Sequence, residues 1–184
     1  MNVVVGFLGV FALAAIAFLG GVVSDEPVTV PDVNLDQYVG TWYAIAHIPT
    51  SFERQCIAGT TATYTLLENG QIRVENACIT ASGETSVAVG RAWVPDTHNP
   101  GQLKVSFVHL LGFWLFPGDY WILDITDGYT VAVVGHPKLR YGWILSRTPT
   151  VDADTLAHSF ARFEEAGYSR YDFVLIDQSV NANP

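Results

Sequence analysis

The chain has 184 residues, with nine Lys and Arg against eighteen Asp and Glu and a formal net charge of -9. An acidic chain without a basic run excludes a nucleic-acid binder and an electrostatic binder of anionic lipid, so any membrane contact has to be apolar. Its two cysteines form no C-x-x-C and no Cys-His cluster, which points away from metal or redox chemistry.

Val3 to Val23 form a 21-residue run without charge or proline. It is long enough to span a bilayer, and Val22-Val23-Ser24 allows signal cleavage before Asp25. Residues 1–24 are therefore expected to be a signal peptide or an uncleaved signal anchor. Residues 25–184 form the exported domain, of a size that buries a sizeable core.

Beyond Pro31 the chain reads as strands of seven to nine residues separated by turn chemistry. Eight are predicted, over 41–48, 59–67, 71–79, 85–94, 102–109, 119–125, 129–135 and 140–147. Asn69-Gly70 between two of them is a strong hairpin signal. Short connections imply antiparallel neighbours, and eight strands close into a barrel without an exposed edge. Alternation assigns the inward faces. Trp42, Ala44, Ala46 and Ile48 share one; Ala62, Tyr64 and Leu66 the next; Ile72, Val74 and Asn76 the third; Leu103, Val105 and Phe107 the fifth; Tyr141, Trp143, Leu145 and Arg147 the eighth. Alanines and Gly90 at middle levels leave room among the aromatics for a hollow interior, or else oppose large side chains in a filled core. Asn76, inward among apolar residues, holds a buried water or backbone group or contacts a ligand's polar end.

"YWILDI" and "YTVAVVG" are apolar on both faces, so something must cover their outer side. The candidate is a helix over 153–166, capped by Asp152 or Asp154 and ended before Gly167, with Leu156, Phe160 and Phe163 on one stripe. "YDFVLID" (171–177) reads as a last short strand.

Cys56 and Cys78 in an exported chain predict one disulfide, closing a separation of 22 residues and contributing roughly 3 kcal/mol. A two-residue turn at Asn69-Gly70 sets Cys78 opposite Thr61. Cys56 then falls in the first loop, which has to fold back to reach it. The segment "HLLGFWLFPGDY" (109–120) joins strands five and six at the open mouth. It concentrates Leu111, Phe113, Trp114 and Phe116 in one connection, an apolar patch of the kind that marks a contact site. It meets a membrane surface, a second copy in a homodimer, or its own barrel mouth. The five histidines show no metal-ligand spacing, and no nucleophile, nucleotide or phosphate motif is present. No cofactor is expected.

The order of motifs resembles the lipocalins. "LDQYVGTWY" (35–43), with Gly40 and Trp42, is similar to the first lipocalin motif. Thr126-Asp127 in "ILDITDGY" is similar to the second, and "WILSRTPT" (143–150), with Arg147, to the third. "FER", "ATYTL" and "WILSRTP" resemble the bacterial outer-membrane lipocalins and apolipoprotein D. The resemblance runs from about 33 to 178. It implies an all-β, eight-stranded antiparallel up-and-down barrel with one C-terminal helix packed outside, closed at one end by Arg147 over the Trp42 ring. Gly40, Thr126 and Asp127 are structural in this picture. One departure stands out: bacterial members are commonly acylated on a cysteine after the signal, whereas the first cysteine here is Cys56, so N-terminal lipidation is not expected.

The expected function is carriage of one small lipophilic ligand, a fatty acid or lysophospholipid as the resemblance implies. The expected lining is Ala44, Ala46, Ala62, Tyr64, Val74, Asn76, Val105, Phe107, Tyr120, Ile122, Tyr141 and Trp143. The alternatives are a lipid-modifying enzyme using His47 or Glu53 near the mouth, and a protein-interaction module built on the 110–116 loop. His47 and Glu53 read more simply as solvated loop residues. The protein is expected to be exported, whether secreted, periplasmic or membrane-associated.

Overall fold

A computed structural model describes residues 26–182. The apolar segment 1–24, expected to be a signal peptide or anchor, lies outside them. The described chain starts with a short helix α1 (Leu35–Tyr38), followed by strands β1 (Gly40–His47), β2 (Cys56–Leu66), β3 (Ile72–Thr80), β4 (Thr85–Trp93) and β5 (Gln102–Ser106). A small hairpin follows, β6 (Val108–Leu110) and β7 (Phe113–Leu115). Then come β8 (Gly118–Ile125), β9 (Val131–Gly135), β10 (Trp143–Ser146), helix α2 (Ala153–Glu165) and β11 (Val174–Leu175). Strands β1 to β5 and β8 to β10 form one antiparallel sheet, and pairing of β10 with β1 closes it into an eight-stranded barrel.

α2 packs outside, as its apolar stripe requires. Asp152 caps it by accepting the amide N–H of Thr155 at 2.7 Å. Its far end is a Schellman turn: Tyr168 N–H donates to the Phe163 carbonyl, and Gly167 N–H to that of Glu164. Phe160 and Phe163 are buried against Trp121, Leu123, Val131 and Val133 on the outer faces of β8 and β9. Those two strands are apolar on both sides because both sides are covered.

Two register details depart from simple alternation. β1 carries a bulge between Ala44 and Ala46. One extra residue reverses which face the following side chains occupy. Ala46, expected inside, therefore joins Ile45, Ile144 and Phe163 in the core under α2, and His47 turns inward opposite Trp143. The hairpin between β2 and β3 has a three-residue loop, Glu68 to Gly70, because Leu67 N–H bonds the Gln71 carbonyl and Gly70 takes a φ of 75°. Thr61 consequently faces Ala77 rather than Cys78. Two irregularities between Cys56 and Thr61 then bring Cys56, at the start of β2, within a Cα–Cα distance of 5.5 Å of Cys78, to which it is disulfide-bonded. No folded-back loop is needed.

Candidate binding cavity

The closed end is built around Trp42, which is fully buried. Its indole N–H donates to the Tyr38 carbonyl at 2.8 Å. The guanidinium of Arg147 lies 3.8 Å from its ring centroid and donates to the carbonyls of Gln37, Tyr38, Val39, Thr41 and Tyr129. Gly40 has a φ of 99°, and a Cβ there would press on the Arg147 guanidinium. Thr126 Oγ1 accepts the amides of Thr130 and Val131 and so shapes the adjoining turn, on which Asp127 is exposed.

Above this floor the barrel encloses a cavity of about 450 Å³, within the roughly 300–1,000 Å³ common for small-molecule sites. Ala44, Ala62, Tyr64, Val74 and Asn76 line it from β1 to β3, and Val105, Phe107 and Tyr120 from the opposite wall. Tyr141 and Trp143 stand at its mouth with Phe52, Gln55 and Phe116. Ala62 faces Asn76 and Ala88 lies opposite Asn76 on the next strand, so small side chains leave the middle of the wall hollow. Ile122 does not line the cavity. It is fully buried below it, with Trp42 and Val134. The reason is the position of the floor: Tyr38, Tyr64 and Tyr120 close the barrel above Ile122.

Those tyrosines form a hydroxyl chain, Tyr38 to Tyr120 at 2.6 Å and Tyr120 to Tyr64 at 2.9 Å. Burial pushes all three phenols up, Tyr64 to about 12 and the other two well above their ordinary value, so they stay protonated at neutral pH. Tyr38 carries no signal in the alternation, because it lies in α1 and reaches the floor from below the first strand. The wall residue Asn76 has its side-chain Oδ1 buried without a hydrogen-bond partner among the described residues.

Glu53, read from the sequence as a solvated loop residue, sits in the mouth instead. Its carboxylate accepts from Thr50 Oγ1 at 2.7 Å and Trp143 Nε1 at 3.3 Å, and pairs with His47 Nδ1 at 3.2 Å. Burial alone would raise its pKa. The hydrogen bonds from His47, Thr50 and Trp143 outweigh burial and lower it, so Glu53 is ionised at neutral pH. Asp119 also borders the cavity but is neutralised by Lys104 at 2.6 Å.

The apolar connection after β5 is an ordered hairpin. Its roots, Phe107, Val108 and Phe116, border the cavity. Its body turns outward along the wall, where Trp114 stacks between Arg91 and His109 and where Gly112, Phe113 and Trp114 lie beside Gln71 and Trp93. Ser106 Oγ ties it down by donating to the Leu115 carbonyl. Leu110 pairs with Phe113, leaving Leu111-Gly112 as a two-residue turn with both φ values positive, 51° and 87°. Such turns ordinarily carry Asn or Gly. Here a leucine occupies the strained position and is 87% exposed, with Phe113 69% and Phe116 83% exposed. Among the described residues no helix is long and apolar enough to cross a membrane, and no group of His, Cys, Asp and Glu is arranged to hold a metal.

A family model described as a lipocalin-like domain matches residues 33–178. The chain is 35% identical over 146 residues to temperature-induced lipocalin-1 of Arabidopsis thaliana, with 78% of each covered. It is 34% identical over 162 residues to outer membrane lipoprotein Blc of Vibrio cholerae, covering 87% of this chain and 90% of that protein. The solved structure of insecticyanin from the tobacco hornworm Manduca sexta shares the fold with a TM-score of 0.68, at 22% identity over 85% of this chain and 87% of that one.

Proposed function

The chain belongs to the lipocalin-like family, whose members bind small hydrophobic ligands, and from that premise we propose that it is an exported carrier of one elongated lipophilic molecule of the fatty-acid or lysophospholipid class. The observation that carries this reading is the cavity inside the barrel, apolar along most of its wall. Burial of ligand chain surface drives binding at about 25 cal/mol per Å² and requires no chemistry on the ligand. Both cysteines are in the disulfide, so neither is free for acylation. Within the described residues, a hold on a membrane then falls to exposed apolar surface. The β6–β7 hairpin supplies it: Leu111, Phe113 and Phe116 stand exposed on a segment rooted at the cavity mouth. Its strained leucine at the tip supports a role there, because a strained, water-facing leucine brings no packing gain to the free protein. In this reading the hairpin meets lipid and a chain passes beside its roots into the barrel.

Ala62→Trp tests the reading. Ala62 lies on the hollow wall, so the indole fills ligand space. Binding of a fluorescent fatty acid should weaken more than tenfold while the melting temperature falls little, since a cavity is filled rather than a packed core overfilled. Unchanged binding would place the ligand elsewhere. Native mass spectrometry with lipid extraction of the protein as purified should find one lipid per chain.

A further inference from the structure

The carrier reading leaves open which end of the ligand enters first. The two ends of the cavity differ in polarity. The mouth is bordered by aromatic rings and by the ionised Glu53, whose carboxylate is already supplied with donors by Thr50, Trp143 and His47. The floor carries three phenol hydroxyls within hydrogen-bond distance of one another. Three hydroxyls hold three protons, but their chain makes only two hydrogen bonds, so one O–H has no acceptor within the cluster. Above Tyr64 on the same wall, where Asn76 pairs with Ala62, the Asn76 side chain adds a polar group whose Oδ1 has no hydrogen-bond partner among the described residues. Beneath both lies the fixed positive charge of Arg147, stacked on Trp42 and close enough to Tyr38 and Tyr64 to stabilise negative charge there. A hydrocarbon end placed on this floor would leave a buried phenol donor unpaired, at a cost comparable to a lost hydrogen bond.

We propose that the ligand binds with its oxygen-bearing end down, a carboxyl group accepting from the Tyr38–Tyr120–Tyr64 hydroxyl cluster beside Asn76, and its chain running up past Phe107 and Phe116 to the mouth. This rests on the carrier reading and adds an orientation and a ligand feature to it. A single phenol proton donated to the carboxyl aligns the other two behind it, and such hydrogen-bond chains polarise one another. A carboxylate at the mouth would face Glu53 instead. Tyr120, which bonds both other phenols, is the residue that sets the preference for an oxygen-bearing end.

Two nitroxide-labelled stearic acids read the orientation directly, one labelled at carbon 5 near the carboxyl and one at carbon 16 near the methyl end. Trp143 is the indole at the mouth, and its share of the fluorescence is obtained by difference from the Trp143→Phe variant. The carbon-16 label should quench Trp143 more strongly than the carbon-5 label. Stronger quenching by the carbon-5 label overturns the orientation while leaving the carrier reading intact. Tyr120→Phe should weaken binding of the carbon-16 acid about tenfold or more. Its affinity for the apolar probe N-phenyl-1-naphthylamine should change less than twofold, which also shows that the variant is folded. Equal affinity of variant and parent for the acid overturns the role of the phenols. If the parent binds neither labelled acid nor the apolar probe, the carrier reading itself falls, and the orientation with it.

Discussion

The closed end of the barrel and the β6–β7 hairpin are both built on aromatic residues beside an arginine, and they use them in opposite ways. At the closed end Arg147 covers a fully buried Trp42 and is matched by five carbonyls. At the hairpin Arg91 covers a half-buried Trp114, its Nε has no partner among the described residues, and the neighbouring Leu111, Phe113 and Phe116 are exposed. The same cation–π pairing thus closes a core in one place and only anchors a segment in the other. What differs is how many polar groups are satisfied around it. A site whose hydrogen bonds are complete contributes stability; a site that leaves apolar surface exposed is available for contact.

The sharpest way to break this comparison is Arg147→Ala. It leaves five carbonyls without their charged donor and uncovers the Trp42 ring, and should cost about 3 kcal/mol. Thermal unfolding should shift down by roughly 10 °C. The matching change in the hairpin, Arg91→Ala, should shift it by no more than about 2 °C; equal losses would erase the distinction. Replacing both Cys56 and Cys78 by alanine should cost about 2–3 kcal/mol, and thiol titration of the denatured, unreduced parent should find none free. Leu111→Ser with Phe113→Ser acts on function rather than stability. It should slow transfer of lipid from vesicles several-fold, with weak dependence on salt, while unfolding stays within about 0.5 kcal/mol of the parent. Transfer at the parental rate would remove the hairpin from the loading step.

The smallest expected effect concerns Glu53. Its folded pKa is depressed below the ordinary value of 4.5, so its hydrogen bonds contribute stability at neutral pH. That contribution is lost as pH falls below about 4.5 through the folded value, because the folded state then takes up a proton that the unfolded chain already holds. Glu53→Gln should therefore flatten the acid side of the stability–pH curve and leave its neutral side level. A variant that still loses stability as steeply as the parent below pH 4.5 would assign the acid sensitivity to other carboxylates.

Much of the cavity was legible in alternation alone. Ala62, Tyr64, Val74 and Asn76 face inward as period two requires, because β2 and β3 stay in register from Thr61 to Leu66. Ala46 was misplaced because a bulge leaves no compositional mark; nothing in "YAIAH" distinguishes a bulged strand from a regular one. The pairing of the cysteines was legible from their number, but the route was not, since the shifts that bring Cys56 level with Cys78 are properties of the paired strands. Glu53 looked like any loop acid because its partners, His47 and Trp143, lie 6 and 90 residues away in sequence.

By itself the sequence determined the eight strands, the inward faces of the regular ones and the capped outer helix, because these follow from local periodicity and turn chemistry; the Trp42–Arg147 closure was expected only from the resemblance of its motifs to the lipocalins. Only the tertiary structure decided where the floor of the cavity lies, that Tyr38 completes a cluster with Tyr64 and Tyr120, and that the apolar hairpin turns out along the wall. Each of these depends on contacts between residues far apart in the chain, and no local pattern records the distance at which two such side chains meet.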